Sequence, residues 1–376
     1  MPTKFPDAAR RLAIPAAANN FSQLGFSFSS KKEIVLKLLV TGGAGFIGSN
    51  FIRHLLATRP DVHIVNFDKL TYAGNPESLG DVADDPRYRF VRGDIADATS
   101  VAEVFALGFD ALVNFAAETH VDRSIEDASP FLRTNVGGVM CLLEAARKSK
   151  LPRFVHISTD EVYGSASAGA SFTEETLLDP RSPYAASKAS ADHFVAAYAN
   201  TYGVSAIILR CTNNYGPFQF PEKLIPLMIA NAQENKSLPI YGDGLQERDW
   251  LFVEDYCRAI ALTLEKGETG EVYNVSAGTP QPNLHIVRTI LKHLGKPESL
   301  MQYVKDRPGH DRRYALDSSK IQRELGWKPL VSFEEGIRRT IGWYQTNSSW
   351  LGHARSGEYR NYYERHYTNR IETFSR

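Results

Sequence analysis

LVTGGAGFIGSN, residues 39–50, decides the fold. An apolar strand runs into a glycine-rich turn, and the turn opens a helix. Gly43, Gly45 and Gly48 fit GxGxxG, and Gly42, Gly45 and Gly48 fit GxxGxxG. A pyrophosphate bound at this turn needs glycines, because a side chain would block it. The backbone N–H groups at the helix start must also face it. Glycines alone are weak evidence; the context makes them specific. A strand precedes, a helix follows, and an acid, Asp68, ends the next strand about 20 residues on. A carboxylate there accepts from ribose hydroxyls and repels a 2′-phosphate, so NAD is favoured over NADP.

Outward from this point, strands and helices alternate. The strands expected are a first one ending at Thr41, then VHIVNFD (62–68), YRFVRGDI (88–95), ALVNFAAE (111–118), RFVHISTD (153–160) and SAIILRCTNNYG (205–216). Helices are expected from about Phe46 to Leu56, Pro130 to Lys148 and Pro183 to Tyr202. Near-continuous apolar strands in this order imply an α/β fold with a doubly wound, Rossmann-like parallel sheet. After residue 212 the pattern breaks up. NNYGPFQFPEKLIP reads as ordered loop, PIYGDG as a short strand and turn, and YNVSAG (273–278) as a return to the sheet, with helices near 284–294 and 333–346. The expected organisation is a cofactor domain over 36–212, with a return segment near 246–278, and a smaller, mostly C-terminal α/β substrate domain over 213–376.

Composition bounds the rest. The 376 residues are 43% apolar and 23% charged, an ordinary globular profile. Lys+Arg and Asp+Glu are both 43, so no net charge draws the chain to nucleic acid or an anionic membrane. Cys141, Cys211 and Cys257 are far apart and read as reduced thiols of a cytoplasmic protein, with no zinc pattern. No apolar run reaches membrane-span length. Residues 1–35 are rich in Ala, Ser, Asn and Pro without a period, and read as a disordered extension. Arg10, Arg11 and the serines are also what an organellar presequence carries.

Two further motifs carry chemistry. YAASK places Tyr184 and Lys188 four apart, on one helical face, with Pro183 in the first turn. An ammonium near a phenol favours the phenolate, as would an oxidised nicotinamide, so the pair can take a proton from a substrate hydroxyl. HISTDEVYG (156–164) places Thr159, Asp160 and Glu161 at the carboxyl end of a strand, the edge where open α/β sheets bind ligands. Oxidation of an alcohol needs a hydroxyl there, which Thr159 supplies, but not two acids. Two acids serve an elimination: one removes the proton α to the new ketone, the other protonates the departing hydroxyl. An exposed acidic turn capping a helix is the plainer alternative. Asp94, after the third strand, could reach an adenine edge or cap the next helix, and spacing favours the cap. Ala116 and Ala117 leave room for a cofactor backbone or for tight helix packing.

TGGAGFIGSN, DKLTYAGN, AAETHVDRSI, HISTDEVYG, SPYAASKA, NNYGPFQFPEKLIP, LPIYGDGLQERDWLFVEDYCRA and DRPGHDRRYALD together resemble the extended short-chain dehydrogenases/reductases, and within them the dTDP-glucose 4,6-dehydratases, over about residues 37–346. The resemblance implies NAD, a nucleotide-sugar substrate and a homodimer. It gives Tyr184 the C4 hydroxyl proton, Glu161 the C5 proton, Asp160 the C6 hydroxyl and Thr159 a contact to the sugar. It adds Phe46, Ile47, Lys69, Leu70, Thr71, Asp94, Ile95, Thr134 and Asn214 on the cofactor side. On the substrate side it adds Thr119, Asn213, Lys223, Leu224, Pro239, Tyr241, Arg248, Asn283, Arg307 and His310. Arginine and histidine suit a diphosphate, though any one Arg is by default a solvated surface group. Thr119 stands where the family often has serine, the segment between Gly164 and Pro183 is short, and the N-terminal tail is extra. Three alternatives share much of this pattern: a UDP-glucose 4,6-dehydratase, a nucleotide-sugar epimerase or decarboxylase, and a non-catalytic NAD sensor. An epimerase or decarboxylase needs Tyr184 and Lys188 but not both acids, and a sensor needs neither pair.

Overall fold

The computed structural model describes residues 35–356. The N-terminal extension expected over 1–35 therefore lies outside the described residues, apart from Val35. Residues 35–356 belong to one compact unit.

Seven strands build its central sheet: β1 (Leu36–Thr41), β2 (Val62–Asp68), β3 (Tyr88–Arg92), β4 (Ala111–Asn114), β5 (Phe154–Thr159), β6 (Ala206–Cys211) and β7 (Val272–Val275). They lie in the order β7-β6-β5-β4-β1-β2-β3, and every pair is parallel. The order reverses between β1 and β4, which opens a crevice at their carboxyl ends. This is the expected doubly wound, Rossmann-like α/β sheet.

The continuous apolar runs follow from burial on both faces. Leu38 and Val40 point into one core, with Phe51 and Ile52 of the Phe46–Thr58 helix and Tyr256 and Ile260 of the Val253–Lys266 helix. Leu39, between them, points into the other, with Val101, Leu142 and Val195. Each such side chain contributes roughly 1.5–3 kcal/mol by burial. A separate core gathers the Leu224–Gln233, Asn283–Leu294 and Phe333–Thr346 helices around Ile225, Ile286 and Ile337. Among the described residues, no helix is long and apolar enough to cross a membrane.

Several boundaries differ from the sequence expectations. The third strand stops at Arg92, the fourth at Asn114 and the fifth at Thr159, so that Asp94, Ala116 and Ala117 lie on loops and Asp160 opens a 3-10 turn. The run expected over 205–216 divides at Thr212. Its first part is β6, and Asn213–Tyr215 pairs instead with Trp250–Phe252. Thr212 donates its N–H to the Val275 carbonyl at 3.1 Å, and beyond that bond the chain leaves the main sheet. The helix expected over 130–148 is interrupted by a π-helical stretch, Leu132–Gly138, before continuing over Val139–Ser149. The widened turn lets Asn135 hold both the N–H (2.8 Å) and the carbonyl (3.0 Å) of Glu118, and donate to Ser187 Oγ at 2.9 Å. Such bulges recur at functional sites. The Pro183–Tyr202 helix matches its expectation. Ser182 caps it by accepting from Ala185 N–H at 3.1 Å, and Gly203 ends it in the left-handed conformation.

Candidate active site

A cavity of about 280 Å³ occupies the crevice, and the ends of all six strands from β1 to β6 reach it. Its dinucleotide side is shaped by glycines. A Cβ on Gly42 would come within 2.5 Å of the Ala116 backbone nitrogen, and one on Gly48 within 2.5 Å of the Gly42 carbonyl oxygen. Gly42 also has φ +72, which an L side chain rarely adopts. Residue 42 is thus glycine because the strand-end loop and the glycine turn touch. No side chain caps the helix that follows, so the N–H groups of its first turn are left for a ligand at the cavity wall, where Gly45, Phe46, Ile47 and Gly48 lie. Asp68 accepts from Ala44 N–H at 2.9 Å and from Leu70 N–H at 2.8 Å. A carboxylate has about four acceptor positions, so two remain for ribose hydroxyls. Burial raises its pKa, and the two backbone bonds oppose that. These residues fit NAD. Gly48→Ala forces backbone against backbone, an overpacking worth about 1–3 kcal/mol. The variant is expected to lose NAD during gel filtration, read as a fall in the 260-to-280 nm absorbance ratio relative to the parent.

Asp94 corrects one expectation. It does not cap the next helix; Asp97 does, accepting from Thr99 N–H at 3.0 Å. Asp94 accepts from Ala96 N–H at 2.9 Å and pairs with Lys69 at 2.9 Å and Arg133 at 2.7 Å at the cavity edge. The cap stands three residues later because the chain makes a turn, closed by Asp97 N–H on the Asp94 carbonyl, before the helix starts. Thr71, Ile95, Ala117, Thr134 and Asn214 also line the cavity. Leu70 does not; it contributes its N–H to Asp68.

The two acids, Asp160 and Glu161, and the Tyr184–Lys188 pair line the same cavity, with Thr159. The chain after β5 makes one 3-10 turn, Asp160–Tyr163, in which Thr159 Oγ1 accepts from Glu161 N–H at 3.3 Å and donates to Asp160 Oδ1 at 3.1 Å. That turn aims both acids inward. Asp160 is 2% exposed, which rules out the solvated acidic turn. Its pKa stands well above the usual carboxylate range, by burial first and then by the charge of Glu161. Glu161 is also raised by burial, but Arg307, Arg248 and Lys223 pull it back. The two acids are therefore split in the sense an acid–base pair requires, Asp160 holding a proton more firmly. Tyr184 is pushed well above its ordinary value by burial and by Glu161. Lys188 is lowered to about 8 by burial, with Asp192 and Cys211 opposing, and donates to the Ile157 carbonyl at 2.6 Å.

Of the residues expected at the substrate, Thr119, Asn213 and Lys223 line the cavity, and Lys223 Nζ donates to the Thr119 carbonyl at 2.8 Å. The cavity wall does not include Leu224, Pro239, Tyr241, Arg248, Asn283, Arg307 or His310. Arg248 is 5% exposed, so the solvated-surface reading fails for it. It donates to the Glu247 and Asp311 carbonyls and covers the Tyr314 ring at 4.1 Å. Arg307 approaches Asp122 at 3.9 Å, and Tyr241 donates to the same carboxylate at 3.3 Å. His310 Nδ1 lies 2.6 Å from Asp306 Oδ1. Asn283 begins its helix with Oδ1 buried and without a hydrogen-bond partner, and Asn213 Oδ1 is in the same state. Leu224 opens the helix beside Lys223, and Pro239 lies in the Leu238–Tyr241 strand.

A family model described as GDP-mannose 4,6 dehydratase matches residues 39–340. The chain belongs to this family. A dTDP-glucose 4,6-dehydratase of Shigella flexneri is 50% identical over 361 residues, covering 89% of this chain and 100% of the relative. The dTDP-glucose 4,6-dehydratase DesIV of Streptomyces venezuelae, solved with NAD and TYD bound, superimposes with a TM-score of 0.83 at 51% identity, over 85% of this chain and 100% of that one. The Bacillus anthracis enzyme in complex with NAD gives 0.80 at 47%, over 85% and 100%.

The dehydratase-family cavity also contains groups that the sequence does not single out. Glu118, Gln219, Phe220 and Glu222 line it. Glu222 pairs with Arg123 at 3.3 Å, and Arg123 covers the Tyr72 ring at 3.9 Å. Glu222 is adjacent to Lys223 in FPEKLIP, and an acid beside an expected ligand was the available signal. Cys211 reaches the wall too, but burial pushes its thiol up to about 12, so it supplies no nucleophile.

Proposed function

We propose that this chain converts dTDP-glucose to dTDP-4-keto-6-deoxyglucose with loss of water. The observation that carries the proposal is the Asp160–Glu161 couple, Asp160 buried and Glu161 half-buried, lining the same cavity as Tyr184 and Lys188. Relatives about half identical over nearly their whole length, one of them solved with NAD and TYD, support it.

NAD, when bound, accepts the C4 hydride and later returns it to C6, so it is unchanged over a turnover. Tyr184 takes the C4 hydroxyl proton, and Thr159, beside it, holds that hydroxyl in place. Glu161 takes the C5 proton, which the new C4 ketone has made acidic. Asp160 gives its proton to the C6 hydroxyl, which leaves as water. Glu161 then returns a proton to C5 as C6 becomes a methyl group. Tyr184 has gained one proton and Asp160 has lost one, so exchange with water resets both. Arg248, Arg307, Lys223 and His310 are proposed for the diphosphate end, their combined positive field already reaching Glu161 from Arg307, Arg248 and Lys223.

Turnover tests the reading. Purified protein given dTDP-glucose should yield a 4-keto product with its alkali-induced absorbance. Product from UDP-glucose alone would move the assignment to the uridine enzyme, and product from neither would end the dehydratase reading. Asp160→Asn is expected to slow water loss by about 10²–10⁴-fold while sparing C4 oxidation. Rapid-quench mass spectrometry reads the two steps separately, and equal slowing of both removes the acid role. We further propose a homodimer, with exposed Leu132, Met140 and Tyr202 as its apolar surface, tested by analytical ultracentrifugation. A cytoplasmic location is proposed from the three free cysteines.

A further inference from the structure

Behind the Tyr184–Lys188 face, buried polar side chains form a chain that the reaction scheme does not use. It starts at Thr41, the residue immediately before the glycine turn. The Thr41 hydroxyl donates to Asn114 Oδ1 at 2.6 Å. Asn114 therefore presents its NH₂ to His156, with Nδ2 and Nδ1 3.2 Å apart. His156 Nδ1 accepts, and a neutral ring then carries its proton on Nε2. Burial, Lys188 and Arg210 all push the His156 pKa well below its ordinary value, which keeps the ring neutral. Its Nε2 lies 3.8 Å from Asp192 Oδ1. Both atoms are buried and neither has a hydrogen-bond partner, 3.8 Å being too long for a bond between them. The other Asp192 oxygen accepts from Arg210 Nε at 2.8 Å. Arg210 Nη1 donates to the Tyr163 hydroxyl at 2.7 Å, and that hydroxyl donates to Asn274 Oδ1 at 2.9 Å.

Asp192 is thus buried and held by Arg210, with the His156 ring beside it. It stands four residues after Lys188, on the same helical face. Lys188 itself donates to the carbonyl of Ile157, the strand neighbour of His156. The groups that act on the Lys188 ammonium are Asp192 from its own helix and Cys211 from β6. Tyr184 lies one turn earlier on the helix, and His156 faces it from β5. At neutral pH the histidine is uncharged, the Cys211 thiol is pushed up to about 12, and the phenol is raised well above its usual value. Asp192, paired with the Arg210 guanidinium at 2.8 Å, is the acidic side chain among them.

We propose that Asp192 is a positioning residue that keeps the buried Lys188 cationic and seated on the Ile157 carbonyl, while Arg210 holds Asp192 in place. Its meaning for catalysis rests on the dehydratase reading, since Lys188 must be an ammonium to favour the Tyr184 phenolate. The sign is fixed: burial alone favours the neutral amine, an adjacent anion favours the ammonium, and removing the anion lowers the pH at which Lys188 titrates.

The test is a titration of Lys188 in the NAD-loaded protein without substrate, by carbon-13 NMR of labelled lysine, with K188R identifying the signal. Asp192→Asn is expected to lower the Lys188 midpoint by about one pH unit or more. Asp192→Glu, which keeps the charge, should restore it. In turnover, Asp192→Asn should move the alkaline limb of kcat to lower pH by the same amount. If Asp192→Asn does not fold because Arg210 is left unpaired, the double variant D192N/R210Q carries the test, with the same fall expected. A folded Asp192→Asn or D192N/R210Q protein whose Lys188 titrates as in the parent overturns the proposal. Because no substrate is present, that result is independent of whether dTDP-glucose is turned over.

Discussion

Replacing Tyr184 by Phe is expected to cut the rate of cofactor reduction on mixing with dTDP-glucose by about 10²–10⁴-fold, with the protein still folded. Tyr184 is buried, and its ring packs edge-on against Phe131 with centroids 6.3 Å apart, a contact that phenylalanine keeps. What is lost is the hydroxyl. Without cofactor that hydroxyl is a poor base, since burial and Glu161 hold its proton on. Two positive charges must therefore oppose them at the moment of reaction: the Lys188 ammonium and the oxidised nicotinamide. Stopped-flow absorbance of the reduced cofactor in a single turnover reads the step directly. A rate within about threefold of the parent would remove Tyr184 from the base role.

Glu161→Gln separates the second step from the first. The amide has nearly the shape of the carboxyl but cannot accept a proton as a base, so hydride transfer from C4 should persist. Exchange of the C5 hydrogen with deuterated water should fall by about 10²–10⁴-fold, and product should not form. Normal C5 exchange in this variant would refute the assignment. The parent offers a matching pH signature. The Glu161 pKa is raised by burial, so the working carboxylate is lost as pH falls through a value above the ordinary glutamate range. The acid limb of kcat should lie there. Arg307 is the strongest of the cations that pull Glu161 down, so Arg307→Gln should move that limb to higher pH.

Much of this was readable from residues 39–50 and the alternation that follows. A parallel sheet buried on both faces leaves a plain mark: Leu38, Leu39 and Val40 are all apolar because two cores need them. Strand ends are less legible. At Asp94, Ala116 and Asp160 the sequence remains compatible with strand, but the chain has already left the strand. Beyond residue 212 less was legible, for two reasons. The Leu224–Gln233 helix is buried nearly all round, so it shows no polar face and no period. The Val253–Lys266 helix does show its period, in Val253, Tyr256, Cys257, Ile260 and Leu264, and that signal was available. In the site, side-chain identities and spacing single out Thr159, Asp160, Glu161, Tyr184 and Lys188, which line one cavity. They could not give Arg123 against Glu222, or Asp192 against His156, because residues 99 and 36 positions apart meet only through the tertiary fold.

The π-helical stretch at Leu132–Gly138 has a consequence for deletions. A one-residue deletion within it would relax the coil to ordinary pitch and swing Asn135 by about 100° around the axis. Its clasp on Glu118 and Ser187 would open, untying the segment after β4 from the start of the Pro183–Tyr202 helix. The surplus residue acts as a shim between two strand-end loops, so this stretch should tolerate changes of side chain far better than changes of length.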